Sequence, residues 1–384
     1  MSADSIRMES LLYKLVSSDR LLIKYRDCPD LQALLNGLTV DLDTEELTSE
    51  ALLTIMLQGR DQPLPLSLSH LKALWMPGGY DMKRQHFLWR LRPKTIPFAP
   101  FYDQQLIQVS GISLLSSLLR PASELQSLLD QSANVKPVKP AGFIFHLSRC
   151  GSTLLSNALA AAGGVQVISE ASFLTNLLLD KQLSPTQKMT AMRVLLSLFE
   201  LPPIIKFNAW DTGFLPLIRE AFPQTPMVFL IREPLRILAS HRRMSGIQMV
   251  PGNPVADYLA VAENGSLFDY QASVLKTLMK TMYRQYQSVP GSLIRMLDYD
   301  QLSPNGVADL GVIESVCRYF SLSLSESKRQ QVAARIGLDA KMPEQVFTAA
   351  GDDNKNNFCE AEVDFIQNTL VPDYQQLRTL ADSS

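Results

Sequence analysis

Closely spaced cysteines, a long apolar run, an excess of charge of either sign and internal repeats are all missing from this 384-residue sequence, and each absence removes a class of protein. The four cysteines, Cys28, Cys150, Cys317 and Cys359, lie far apart. That excludes the paired spacing of a structural zinc site and the density of a disulfide-stapled secreted scaffold, and no metal is expected. No stretch reaches the ~18 apolar residues of a membrane span. The opening residues, MSADSIRMES, carry charges where a secretory leader needs an apolar core. A cytoplasmic protein with reduced thiols is the expectation. Lys and Arg total 36 against 38 Asp and Glu, a net charge of −2. Nucleic acid and anionic membrane are therefore not expected partners, and any anion site has to be a local cluster of cations.

What is present suffices for folding: 46% of residues are hydrophobic and 19% charged, over a length that suits one large domain or two unequal ones. Residues 131–141, within QSANVKPVKPAG, break the apolar periodicity with two prolines and two lysines and read as a linker. Residues 1–130 before it read as mostly α-helical, with pieces at Leu31 to Leu38, Glu45 to Leu57, and Gly111 to Leu129 broken by Pro121; Phe87 to Leu106 reads as more extended. No catalytic constellation stands out in this region. Residues 142–384 alternate instead. Short apolar runs at Gly142 to Leu147, Val165 to Ser169, Ile204 to Phe207, Met227 to Ile231 and Leu293 to Leu297 are separated by helical patterns. This alternation predicts an α/β domain, a mainly parallel sheet with helices on both faces, whose ligands gather at the carboxyl ends of the strands.

The first of these runs leads straight into a polar knot, FIFHLSRCGSTLL, and then into helical spacing. Strand, glycine-containing turn and helix make a phosphate cradle: the turn aims backbone N–H groups at one point and the helix N-terminus adds its positive dipole end. Gly151 is the permissive residue, Ser152 and Thr153 supply hydroxyls, and Arg149 adds a permanent cation. The triphosphate-binding signature GxxxxGK[ST] is absent. A second knot follows the run at Met227, where MVFLIREPLRILASHRRM places Arg232 at a strand tip, opens a helix at Glu233-Pro234 and puts Ser240 within that helix. An arginine and a hydroxyl so placed can converge on one dianionic phosphate.

Ser148-Arg149-Cys150-Gly151-Ser152-Thr153-Leu154 resembles the 5′-phosphosulfate loop of the sulfotransferase family, and Arg232 with Ser240 resembles that family's 3′-phosphate site. LIRMLDYDQLSP and the C-terminal FCEAEVDFIQNTLVPDYQQL are similar to further segments of it, so that the likeness runs from about 142 to 378. The family's C-terminal RKG-type triplet has no counterpart. The resemblance implies a P-loop-type nucleotide-binding fold. It implies transfer of a sulfuryl group from 3′-phosphoadenosine 5′-phosphosulfate to an acceptor hydroxyl or amine, the acceptor class staying open. Arg149, Cys150, Gly151, Ser152, Thr153, Leu154, Arg232 and Ser240 are the expected donor-binding residues, and Arg149 and Lys206 those that neutralise the leaving group. Glu170, at the end of the VQVIS run, is the expected base, with His146 and His241 as rivals. Two other readings stay open: a kinase-type phosphotransferase, and a non-catalytic nucleotide-binding or scaffold protein. GDDNKNN at 351–357 is a candidate lid.

Overall fold

The computed structural model describes residues 3–43, 47–134, 136, 138–252, 254–261, 263, 265–342, 344–345 and 358–383. The candidate lid at 351–357 lies outside them. The chain forms two compact units, one of residues 1–138 with 171–200, the other of 139–170 with 201–384.

The first unit opens with helices Ala3–Val16, Asp19–Tyr25, Leu31–Leu42 and Ser49–Gln58. Ser18, Asp30 and Thr48 start the last three by accepting an amide proton from the first turn. Leu22, Leu34, Leu38, Leu42 and Met56 are fully buried on their inner faces. The region is not helical throughout. Strands β1 (Trp75–Asp81), β2 (His86–Leu91) and β3 (Ala122–Glu124) make an antiparallel sheet in the order β1-β2-β3. The helix expected over Gly111 to Leu129 is broken up accordingly. Ser113 is extended and caps the short helix Leu114–Leu118, while the Pro121 carbonyl accepts the Trp89 amide at 2.9 Å and so leads the chain into pairing with β2.

The second unit is built on a five-stranded parallel sheet: β4 (Gly142–His146), β5 (Gln166–Ser169), β6 (Pro203–Lys206), β7 (Met227–Ile231) and β8 (Ile294–Asp298), in the order β5-β6-β4-β7-β8. The expected α/β architecture and all five expected strands are present. Every residue of β4, β6 and β7 is buried, as parallel strands covered on both faces must be. β4 sits at the centre. The chain leaves it toward β5 on one side and leaves β7 toward β8 on the other, and a divergence of this kind, at the carboxyl ends of β4 and β7, is where open parallel sheets gather their ligands. Tyr374, in helix Val371–Asp382, donates to Asp298 at 2.8 Å and ties the C-terminal helix to the end of β8. No helix among the described residues is long and apolar enough to cross a membrane.

The connection from β5 to β6 departs from the sequence-based division, which counted it with the α/β domain. Helices Ser172–Leu179 and Pro185–Ser197 group with the first unit. Tyr80 donates to Asp180 at 2.7 Å, Ser172 Oγ donates to Asp103 at 3.1 Å, and the Tyr102 and Phe173 rings meet edge to face. These partners are remote in sequence, so no local pattern records them.

Gly142 opens β4 because nothing larger fits: a Cβ there would lie 2.3 Å from the buried Phe320 ring. Gly142→Ala is expected to destabilise the protein by about 1–3 kcal/mol through overpacking. Urea unfolding reads this as a lower midpoint, and an unchanged midpoint means that the ring yields without cost.

Candidate functional site

Between the end of β4 at His146 and the start of helix Ser152–Ala162, the chain turns through a loop whose backbone is left-handed at Ser148 (φ +71°), Arg149 (φ +52°) and Gly151 (φ +79°). Residues with a Cβ pay roughly 1–2 kcal/mol for this conformation, and glycine almost nothing. At Gly151 a side chain is excluded twice over, because a Cβ would also approach Tyr299 Cδ2 and Leu302 Cδ2 at 3.0 Å. Gly151 is the helix N-cap and supplies no side-chain acceptor, so the first amides of the helix keep their donor capacity for a ligand.

Several cations surround this turn. The half-buried Arg149 donates Nη2 to the Met244 carbonyl at 2.5 Å. Arg232, just past β7, donates Nη1 to the Arg149 carbonyl at 2.8 Å and lies with its guanidinium 4.1 Å from the Tyr299 ring centroid. Its Nε is buried and makes no hydrogen bond among the described residues. Lys206, the last residue of β6, has a fully buried side chain that pairs with Glu170 at 2.5 Å and donates to Thr153 Oγ1 at 3.0 Å. Lys341 is a cation that sequence reasoning missed. Partial desolvation, then Arg149 and Lys206, push its ammonium pKa down. Its neighbour Ala340 accepts from Asn157 Nδ2 at 2.7 Å, which fastens this segment to the loop helix. Only the contact with Asn157 discloses it, since KMP resembles nothing in the family's C-terminal pattern.

Glu170 is also left-handed, at φ +51°, and its amide donates to the Lys206 carbonyl at 2.7 Å. Burial by itself raises the carboxyl pKa, but Lys206 and His146 together outweigh it and hold the group well below the usual carboxylate range. It is therefore an ionised acceptor at neutral pH, with low proton affinity while Lys206 stays paired to it.

Neither histidine is arranged as a base. The Ser148 amide donates to His146 Nδ1 at 3.1 Å, which leaves the proton on Nε2, 3.5 Å from Glu170 Oε1. Likewise the Gly246 amide donates to His241 Nδ1 at 3.1 Å, so His241 Nε2 carries the proton and donates to Ser148 Oγ at 3.1 Å. Each basic lone pair is thus engaged by a backbone amide. Burial lowers both pKa values, that of His241 to about 4 with Arg149 and Lys341 adding to the effect.

Of the residues singled out in the sequence, Arg149 and Arg232 are joined by one contact and Thr153, Lys206 and Glu170 by another pair, on either side of the turn at Gly151. The others stand differently. Cys150 points its thiol into the hydrophobic core, where burial pushes the pKa up to about 12, so only its backbone is available to a ligand. Ser152 is buried in the first helical turn, and Leu154 packs against the core behind the loop. Ser240 is half-buried in the last turn of helix Pro234–Arg243; its successor His241 is the residue that reaches the loop. Glu233 caps that helix by accepting from the Leu235 and Arg236 amides.

No family model and no curated protein matches the chain. Among solved structures, a sulfotransferase from Alicyclobacillus acidocaldarius aligns at TM-score 0.41 and 12% identity, over 64% of this chain and 96% of that one. A sulfotransferase from Mycobacterium avium aligns at TM-score 0.45 and 9% identity, over 87% and 97%. A mouse sulfotransferase complexed with PAP aligns at TM-score 0.37 and 11% identity, over 67% and 94%. At such values the functional assignment rests on the residues of this chain.

The depressed histidines give a pH dependence whose sign follows directly. A group with a folded pKa below its unfolded one contributes stability above the unfolded value and loses it as pH falls. For His241 the loss runs from its ordinary 6.5 down toward about 4. Urea midpoints are expected to drop across that window, and His241→Gln to flatten the drop. Equal slopes in the two proteins would show that His241 is not held neutral.

Proposed function

We propose that the second unit binds 3′-phosphoadenosine 5′-phosphosulfate and transfers its sulfuryl group to an acceptor hydroxyl or amine. The observation that carries this is the meeting of two anion-binding segments at the divergence of the sheet. The uncapped left-handed loop after β4 and Arg232 after β7 are joined by the 2.8 Å bond from Arg232 Nη1 to the Arg149 carbonyl. Both segments carry the motifs that resemble the family's two phosphate sites. Arg232 Nε, like that of several other arginines, makes no hydrogen bond among the described residues and has donor capacity for a phosphate oxygen.

In the reaction, the sulfur–oxygen bond to the 5′-phosphate breaks as a new one forms to the acceptor, and negative charge grows on the departing bridging oxygen. The loop amides, Arg149 and Lys206 neutralise that charge, in the way positively charged clamps serve phosphoryl transfer. The acceptor's proton goes to Glu170. Lys206 links the two events: as its charge is drawn toward the departing oxygen, Glu170 loses part of its counter-ion and its proton affinity rises. Lys341 adds a further positive charge to the same region.

Isothermal titration with 3′-phosphoadenosine 5′-phosphate tests the donor site. Arg232→Ala is expected to weaken binding about 10- to 100-fold, the value of a charge-assisted hydrogen bond. No binding by the wild type, or undiminished binding by the variant, overturns the reading. Glu170→Gln is expected to lower turnover at saturating labelled donor by about 10²–10⁴-fold, as for loss of a general base. Full turnover removes Glu170 from that role. Nucleotide binding with no acceptor modified across a broad screen leaves a binding protein, and turnover of magnesium-ATP in its place leaves a phosphotransferase.

A further inference from the structure

Two residues of the donor loop, Ser148 and Arg149, adopt left-handed backbone although neither is glycine. A cradle made from such residues is not stable by local preference, so tertiary contacts must hold it. The Ser148 amide is held by His146 Nδ1 at 3.1 Å and the Arg149 carbonyl by Arg232 Nη1 at 2.8 Å, while the side chains of Ser148 and Arg149 are held by the stretch of chain that follows helix residue Ser240. His241 Nε2 donates to Ser148 Oγ at 3.1 Å and Gln248 Nε2 donates to the same oxygen at 2.9 Å. The Met244 carbonyl accepts the Arg149 guanidinium at 2.5 Å. Both donors are themselves anchored. His241 is fully buried and oriented by the Gly246 amide. The Gln248 carbonyl accepts from Tyr270 at 3.3 Å, and that of Met249 accepts from Gln271 at 3.1 Å, both in helix Leu267–Ser288.

We infer that His241 and Gln248 are positioning residues for the donor loop: through Ser148 Oγ they hold residues 148–149 in the left-handed conformation that aims the loop amides at the anion. This rests on the reading of the loop as the donor site. His241 thereby has an assignment as a neutral hydrogen-bond donor, which its engaged lone pair also requires. Gln248 carries no motif signal at all. Without these bonds the loop spends part of its time in the right-handed or extended conformations that serine prefers, and ligand affinity falls in proportion to the competent fraction.

The test is a mutational cycle that exploits the indifference of glycine to handedness. With serine at 148, His241→Ala is expected to weaken binding of 3′-phosphoadenosine 5′-phosphate about 5- to 30-fold, the population shift that the left-handed cost implies. When Ser148→Gly is already present, the same His241→Ala change is expected to cost less than about twofold. A loss that is equal in the two backgrounds, or absent from both, overturns the inference, because the effect of His241 on nucleotide binding would then not pass through residue 148. Urea unfolding of the same four proteins gives a reading independent of nucleotide. His241→Ala is expected to lower the midpoint more in the serine than in the glycine background, and equal shifts again overturn the inference. If His241→Ala does not fold, Gln248→Ala takes its place in both cycles with the same criteria. Failure of the wild type to bind the nucleotide, with the unfolding cycle intact, counts against the donor-site reading alone.

Discussion

The left-handed turn between β4 and helix Ser152–Ala162 is the constraint from which the rest of the second unit is arranged. A parallel sheet delivers its central strand to a crevice and then needs the chain to reverse within a few residues. Here one glycine and two residues with side chains make that reversal. Gly151 supplies the conformation at no steric cost, and the space its side chain would need is filled by Tyr299 and Leu302. Tyr299 also underlies the Arg232 guanidinium, so the segment after β8 supports the loop and the arginine that braces it. The bonds to the side chains of Ser148 and Arg149 come from the segment after β7.

Electrostatics follow from this geometry. In a chain with a net charge of −2, Arg149, Lys206, Arg232 and Lys341 are drawn into one region while Glu170 is the carboxylate that pairs with Lys206. A buried ion pair of this kind contributes little net stability, because desolvation offsets most of the attraction, yet removing one partner is costly. Its value lies in holding a lysine in place and out of water next to the loop helix, with Thr153 as its second partner. The same desolvation keeps His146 and His241 neutral and makes them rigid hydrogen-bonding groups rather than bases.

Much of this was legible in the residues. The five apolar runs after residue 141 are the five strands, and the three inner ones, buried on both faces, are apolar almost throughout for that reason. The turn at Gly151 was visible as a polar knot between a strand and a helical pattern. β3 was not: its three residues lie inside a stretch with helical spacing, and only pairing with β2 makes them a strand. The grouping of helices Ser172–Leu179 and Pro185–Ser197 with the first unit was equally hidden, since it depends on Tyr80, Tyr102 and Asp103, all remote in sequence.

The order of strands and helices in the second unit, the glycine at its sharpest turn and the types of charge beside each strand end were determined by the sequence alone, because periodicity and backbone permissiveness act between neighbours. Tertiary structure decided which way those groups face. It turned the Cys150 thiol into the core, engaged the lone pairs of both histidines, brought Lys341 from the far end of the chain within electrostatic reach of Arg149, and set Gln248 on Ser148. Desolvation and hydrogen-bond geometry act across space, and the distance between two residues along the chain carries no record of either.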